Sequence, residues 1–306
     1  MSILSFRRSR PAVPAAHAGA DLLAGHSIEV MPRTAARVED FTALLAPGTR
    51  VYIAHIDGTP IEEMVATAAR LARDGFRVMP HFPARSIPDR ATLADWIARY
   101  QGEAGVTQGL ILAGGIAQPS GAFATSMDLL GTGLFDAAGF TDLHVAGHPE
   151  GNRDIDPDGS DRNVSDALRW KQDFSRRTDA RMAIVTQFCF EAGPALAWAR
   201  GLRAAGIDLP IHLGLAGPAK LQTLLKFAIA CGVGPSLKVL QKRALDVTKL
   251  VLPYTPDEML ADLARARAAD PAFPIDGLHI FPLGGIAAAA DWARERATPE
   301  PGRASR

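Results

Sequence analysis

Glu29 stands alone in the run SIEVMP, between Ile28 and Val30. Side chains along a strand alternate, so its carboxyl group faces opposite to both apolar neighbours. Burial disfavours the charged form of a carboxyl, and one kept partly protonated near neutrality can act as a general acid. A buried carboxylate satisfied by an arginine or lysine would look the same, and the residues alone leave both readings open. Gln187, in TQFCFE, carries an amide that can donate and accept at the edge of a heterocycle, or equally satisfy a loop backbone. Phe188 and Phe190 alternate along the same run and read as core packing. His81 closes the run RVMPH, where an imidazole can be acid, base, ligand or a structural hydrogen-bonder. His55 and Asp57, His148 and Glu150, and Glu191 also sit at or just past the ends of apolar runs. His26, His212 and His279 read as ordinary strand-edge or interior residues.

Other groupings carry less. DIDPDGSD at 154–161 spaces carboxylates as a calcium loop does, but the twelfth position from Asp154 is Ser165 where such a loop needs a bidentate Glu, so a solvated loop and no metal site are expected. The two cysteines, Cys189 and Cys231, have neither zinc spacing nor disulfide density; they read as small buried apolar residues of a reducing, cytoplasmic compartment. Acidic and basic residues number 33 each, so no field of one sign draws nucleic acid or an anionic membrane, and a charged ligand must be met locally. No apolar run reaches the roughly 20 residues that cross a bilayer. The opening MSILSFRRSRPAVPAAHAGA is basic and rich in Pro and Ala without the apolar centre of a secretion signal. A transit peptide and a solvated terminus both account for Arg7, Arg8 and Arg10.

The elements that must hold these residues alternate between two periods. Apolar, β-branched runs at 27–31, 50–55, 77–81, 109–113, 142–147, 181–188, 210–215 and 277–283 predict eight strands. Stretches of helical period predict helices near 36–46, 60–74, 90–102, 125–138, 165–177, 192–205 and 218–231, with further helical segments at about 236–250, 256–269 and 286–296. Eight βα units predict an α/β protein built as a single (β/α)8 barrel, in which the carboxyl ends of the strands form the active site. An open doubly wound sheet is the competitor, but no GxGxxG follows the first strand, and Gly114-Gly115 lacks the rest of that fingerprint. The expected organisation is a flexible arm over 1–20, the barrel over 21–297 and a flexible tail over 298–306.

The order of these motifs resembles that of the methylenetetrahydrofolate reductases, from residue 27 to about residue 292. SIEVMPRT is similar to the family's opening strand with its catalytic Glu, MPHF to its proline-histidine strand end, AGHPEG to its tyrosine-proline-glutamate turn and TQFCFE to its threonine-glutamine-phenylalanine strand. The resemblance implies a barrel bearing FAD that takes a hydride from NADH or NADPH and interconverts 5,10-methylenetetrahydrofolate and 5-methyltetrahydrofolate, in one-carbon metabolism leading to methionine. It makes Glu29 the acid that protonates the departing ring nitrogen and Gln187 the amide that contacts the folate. It makes His81 a flavin-proximal histidine, puts His148 in the place of the turn's tyrosine beside the cofactor, and gives Asp166 and Lys171 of SDALRWK to the flavin's ribityl and diphosphate portion. The implied partner is a small-molecule folate, and a homo-oligomer is compatible with the pattern. Three departures bear on the flavin. Ala113-Gly114-Gly115 stands where the family has arginine-glycine-aspartate, His148 where it has tyrosine, and Gly284-Gly285 where it has asparagine-arginine. FAD is therefore expected to bind weakly or not at all. A flavin-free reductase, a folate-binding methyltransferase and a non-catalytic folate-binding barrel are the alternatives that keep the same residues.

Overall fold

The computed structural model describes residues 19–230 and 253–297. Eight parallel strands pair in chain order and the last closes on the first: β1 (Ser27–Val30), β2 (Arg50–Ile53), β3 (Arg77–Pro83), β4 (Gln108–Leu112), β5 (Asp142–Gly147), β6 (Arg181–Cys189), β7 (Ile211–Ala216) and β8 (Gly277–Phe281). Helices α1 (Ala20–Leu23), α2 (Pro32–Ala35), α3 (Ile61–Arg73), α4 (Arg90–Ala104), α5 (Ser126–Gly131), α6 (Leu134–Ala137), α7 (Arg162–Phe174), α8 (Ala192–Ala204), α9 (Leu221–Ala230), α10 (Asp257–Ala269) and α11 (Ile286–Ala297) form the outer layer. The fold is thus the closed (β/α)8 barrel. The arm before residue 19, the tail from 298, the helix expected at 236–250 and Cys231 lie outside the described residues.

Strand parity divides the core in two. Ile28, Val30, Val51, Ile53, Ile111, Leu143, Val145, Leu213 and Ile280 face outward and join one apolar cluster with the helices, whereas Tyr52, Met79, Leu110 and Val185 pack with one another inside. The inside follows from register. A closed eight-stranded barrel advances by about one residue per strand, so side chains from alternate strands share a level. Following the pairings around the barrel with that advance gives a lower layer of Ser27, Met79, His144 and His212. The middle layer is Tyr52, Leu110, Val185 and His279, and the upper one is Glu29, His81, Ala146 and Gly214.

Branched apolar residues usually fill such layers; here the lower two are rich in histidine, and His144 and His279 have hydrogen-bond partners. Arg50 donates to His144 Nε2 at 3.3 Å, to Asp142 at 3.3 Å and to Gln108 at 3.1 Å. An arginine cannot accept, so Nε2 must be the acceptor and the neutral ring carries its proton on Nδ1, which lies 2.6 Å from the Tyr52 oxygen. Ser27 Oγ lies 2.9 Å from His279 Nδ1, and the Tyr52 ring meets the His279 ring edge-on at 4.5 Å.

Two helical expectations are corrected. The segment 36–46 is turns after a single helical turn at Pro32–Ala35. The Arg70 guanidinium, reaching in from α3, takes the carbonyls of Ala35, Val38 and Glu39, and Asp40 accepts from Thr42 N at 2.8 Å, so this backbone is satisfied without helix. The stretch 125–138 is two short helices, α5 and α6, parted at Gly133, whose φ of 70° a helix cannot contain.

The buried histidines set the acid limit of the fold. Burial first, and nearby positive groups second, hold His144 and His279 well below the ordinary imidazole range and His212 down to about 4. The unfolded chain takes up protons on these groups from about pH 6.5 downward while the folded barrel does not. Above about pH 7 they have no effect; as pH falls from 6.5 toward 4, each costs about 1.4 kcal/mol of stability per pH unit. Denaturant unfolding at pH 7, 5.5 and 4.5 should show this slope, reduced in His212→Asn; a stability independent of pH over that range would contradict a neutral interior.

Candidate functional site

The upper layer opens at the carboxyl ends of the strands, and its four members are unequal. β1 and β3 contribute Glu29 and His81, whereas β5 and β7 contribute a methyl group, Ala146, and no side chain, Gly214. Glu29 Oε2 lies 3.3 Å from His81 Nε2, and these side chains are 19% and 12% exposed. The contact has the distance of an ion pair but not the alignment of a hydrogen bond, and His81 Nε2 makes no hydrogen bond with any described residue. A carboxyl and an imidazole therefore stand side by side, both largely buried, and the imidazole Nε2 has bonding capacity to spare.

Over β6 to β8 the same end of the barrel holds a buried aromatic cluster. Phe188 meets Phe281 at 5.5 Å and Phe190 at 5.8 Å, and Phe190 meets Tyr254 at 5.3 Å, all edge-on, within a cluster that includes Ala216, Leu221 and Leu224. Gln187 enters this side at an irregularity in β6, where the pairing with β7 shifts between Val185 and Phe188. This end of the barrel is thus polar and titratable over β1 and β3, and over β6 to β8 it is packed with a buried, edge-on aromatic cluster.

The remaining candidates separate. His148 follows β5 and is lowered to about 4, first by burial and then by the Lys171 ammonium. Lys171, in the third turn of α7, is 6% exposed, and no described residue pairs with its ammonium; burial alone draws it down to about 8. An unpaired buried cation costs stability. Asp166 lies on the same helix, but its side chain is 64% exposed and bonded to Arg169 at 2.6 Å, so the structure does not bring it to Lys171. The His55 ring stacks on Trp96 of α4 at 5.3 Å, and its buried Nδ1 makes no hydrogen bond with any described residue. A side chain at Gly115 would meet nothing within 4 Å, so the turn after β4 simply presents no charge. At Gly284, by contrast, a Cβ would lie 2.1 Å from the Pro218 carbonyl oxygen, and no larger residue fits.

Two parts of the site escaped sequence reasoning. Asp156, in the loop read as solvated, is 1% exposed and accepts from Asn163 N at 2.9 Å and Val164 N at 3.1 Å, capping α7 and fixing the helix that carries Lys171. Its signal was a carboxylate a few residues before a helix, hidden among three others. Thr186 was read only as a neighbour of Gln187. Among the described residues no group of three or more His, Cys, Asp or Glu is placed to hold a metal, and no helix is long and apolar enough to cross a membrane.

No family model matches the chain. Among solved structures, an uncharacterised protein from Clostridium thermocellum that binds two copies of 5-methyl-5,6,7,8-tetrahydrofolic acid superposes with a TM-score of 0.55 at 12% identity, over 90% of this chain and 96% of that one. At that identity the likeness is one of fold. The enoyl-[acyl-carrier-protein] reductase (NADH) of Aquifex aeolicus VF5 overlaps at a TM-score of 0.30 and 14% identity, over 81% and 98% of the two chains, too little to bear on the fold.

Lys171 gives a test of cost against function. A base whose folded value is depressed opposes folding below that value, here about pH 8, and ceases to do so as pH rises toward 10.5. Lys171→Met should therefore raise the melting temperature of the ligand-free protein at pH 7, by roughly 2–3 kcal/mol of stability at most, with a smaller gain at pH 10. A variant that melts below the wild type at pH 7 would mean that the ammonium is stabilised in place.

Proposed function

We propose that the barrel binds a reduced folate at its carboxyl-end mouth and interconverts 5,10-methylenetetrahydrofolate and 5-methyltetrahydrofolate with NADH or NADPH. The observation that carries this reading is the pair of Glu29 and His81 at 3.3 Å at the end of the barrel that also holds the aromatic cluster of β6 to β8. A pterin is planar, with donors and acceptors along one edge, and needs both kinds of neighbour. The likeness in fold to a structure that binds 5-methyl-5,6,7,8-tetrahydrofolic acid supports the same ligand class.

In this reading Gln187 pairs with the pterin edge and the phenylalanine wall holds the ring flat and dry. Opening the five-membered ring of the methylene compound requires a proton on the departing nitrogen, and Glu29 delivers it. A positioned acid contributes on the order of 10²–10⁴-fold in such a role. His81, beside Glu29, orients the carboxyl and is the nearest group able to return the proton.

The residues present fit a flavin dinucleotide at one end. Lys171, buried without a counter-ion, would hold the diphosphate, with neutral His148 next to it; Asp166, bonded to Arg169, is turned away. When bound, the flavin relays the hydride between nicotinamide and folate. The bare Gly114-Gly115 turn supplies no side chain to its ring end, so retention through purification should be weak. The same turn favours a second reading, a folate-binding barrel without hydride chemistry, and a visible spectrum with a folate and NAD(P)H assay separates the two.

Glu29→Gln should abolish folate reduction, by at least a hundredfold, while leaving 5-methyltetrahydrofolate binding within a few fold and NAD(P)H oxidation by an artificial acceptor largely intact when flavin is supplied. Joint collapse of all three would make Glu29 a structural residue and end this assignment.

A further inference from the structure

The irregularity in β6 is built, not accidental. Between Val185 and Phe188 the ladder to β7 slips, and Gly214 pairs with Phe188 just beyond the slip. The Thr186 hydroxyl bridges the slip. It accepts from Gly214 N at 2.9 Å and donates to the Gln187 carbonyl at 2.7 Å, and the residue is 1% exposed. The Cys189 thiol, 3.6 Å from the same carbonyl, adds a second weak donor. Gly214 is matched to this arrangement, because a Cβ there would lie 2.6 Å from the Gln187 carbonyl oxygen, 2.7 Å from that of Thr186 and 2.7 Å from the Phe281 ring. The slip, the hydroxyl bridge and the missing side chain opposite form one unit, and Gln187 is the residue that it carries at the mouth. Bulges next to active sites commonly re-aim a side chain in this manner.

We propose that Thr186 is a positioning residue of the folate site, whose hydroxyl bridge from Gly214 N–H to the Gln187 carbonyl fixes the strand slip and thereby aims the Gln187 amide at the ligand. The inference rests on the reading of Gln187 as the folate contact given above. Valine has the shape of threonine without the hydroxyl, so Thr186→Val keeps the packing and removes the bridge, whereas Thr186→Ser keeps the bridge.

The test is calorimetric titration of 5-methyltetrahydrofolate into the full chain and its variants, with thermal melts as a check on folding. Gln187→Ala should weaken binding at least tenfold, Thr186→Val about tenfold and Thr186→Ser no more than twofold. In the Gln187→Ala background Thr186→Val should add less than twofold, because a residue that acts through the amide has nothing left to aim. A tenfold loss in that background as well would make Thr186 a general structural residue and overturn the proposal. So would wild-type affinity of Thr186→Val alongside a weakened Gln187→Ala, which leaves the folate reading standing. Unchanged affinity of Gln187→Ala, with the wild type binding, would remove the reading of Gln187 and the inference with it. Should the valine variant not fold, Thr186→Ala against Thr186→Ser carries the same contrast.

Discussion

The stagger of the closed barrel is the constraint from which the site follows. Glu29 pairs in register with Tyr52, and Tyr52 with Met79, so in a flat sheet Glu29 would look toward Met79. An advance of about one residue per strand lifts β3 by two positions relative to β1 and brings His81 to the level of Glu29 instead. The same advance makes Ala146 and Gly214 the other members of that layer. A carboxyl, an imidazole, a methyl and a bare backbone cannot fill a layer that normally holds four branched side chains. Over β7 the room left by Gly214 is taken by the Phe281 ring, to which a Cβ there would come within 2.7 Å, so register and residue size together bring an aromatic ring beside the carboxyl and imidazole level.

Below that level the barrel is polar, which is unusual and has to be offset bond by bond. An unpartnered buried ring nitrogen costs on the order of 1–3 kcal/mol, whereas a satisfied one is close to neutral. Arg50 decides the arrangement, since its donors force the His144 tautomer, and that tautomer sets what His144 gives to Tyr52. His279 is tied to Ser27 and stacked edge-on against Phe281 as well as Tyr52. The chain of contacts from Arg50 upward ends at the rings that border the mouth. His81 Nε2 in the upper layer, like His55 Nδ1 beyond β2, is by contrast buried without a hydrogen bond to any described residue, and such an unsatisfied group calls for an explanation.

The strands were legible because each is a short β-branched run bounded by turn residues, and β5 was located to the residue. The barrel was legible from the repeat count, and Glu29 from parity alone. What failed to show in the sequence was everything decided by distant partners. Segment 36–46 has helical spacing, but Arg70, some thirty residues later, satisfies its carbonyls in another conformation. Asp156 looks like any carboxylate in an acidic loop until α7 places two N–H groups on it. Lys171 sits in SDALRWK beside the exposed Asp166 and Arg169, and nothing in that string says that of these charged groups its ammonium is the buried one. The β6 slip has no signature at all, because the need for a hydroxyl at Thr186 exists only once Gly214 is alongside.

Lys171 and the Gly114-Gly115 turn together bear on what kind of ligand the mouth was shaped for. A chain gains stability by replacing an unpaired buried lysine with an apolar residue, so keeping it runs against folding and is intelligible where an anion completes it. At the turn after β4 the reverse has happened: open space would accept a side chain at Gly115, and none is there. Under the proposed function, charge is retained where the anionic tail would lie and absent where the ring would be gripped. On the proposed reading, affinity for a dinucleotide comes from one end and the ring end is left mobile, which separates holding the cofactor from orienting it. The orientation of the folate cannot then be borrowed from a tightly seated flavin, and falls to Glu29, Gln187 and the strand slip beneath it.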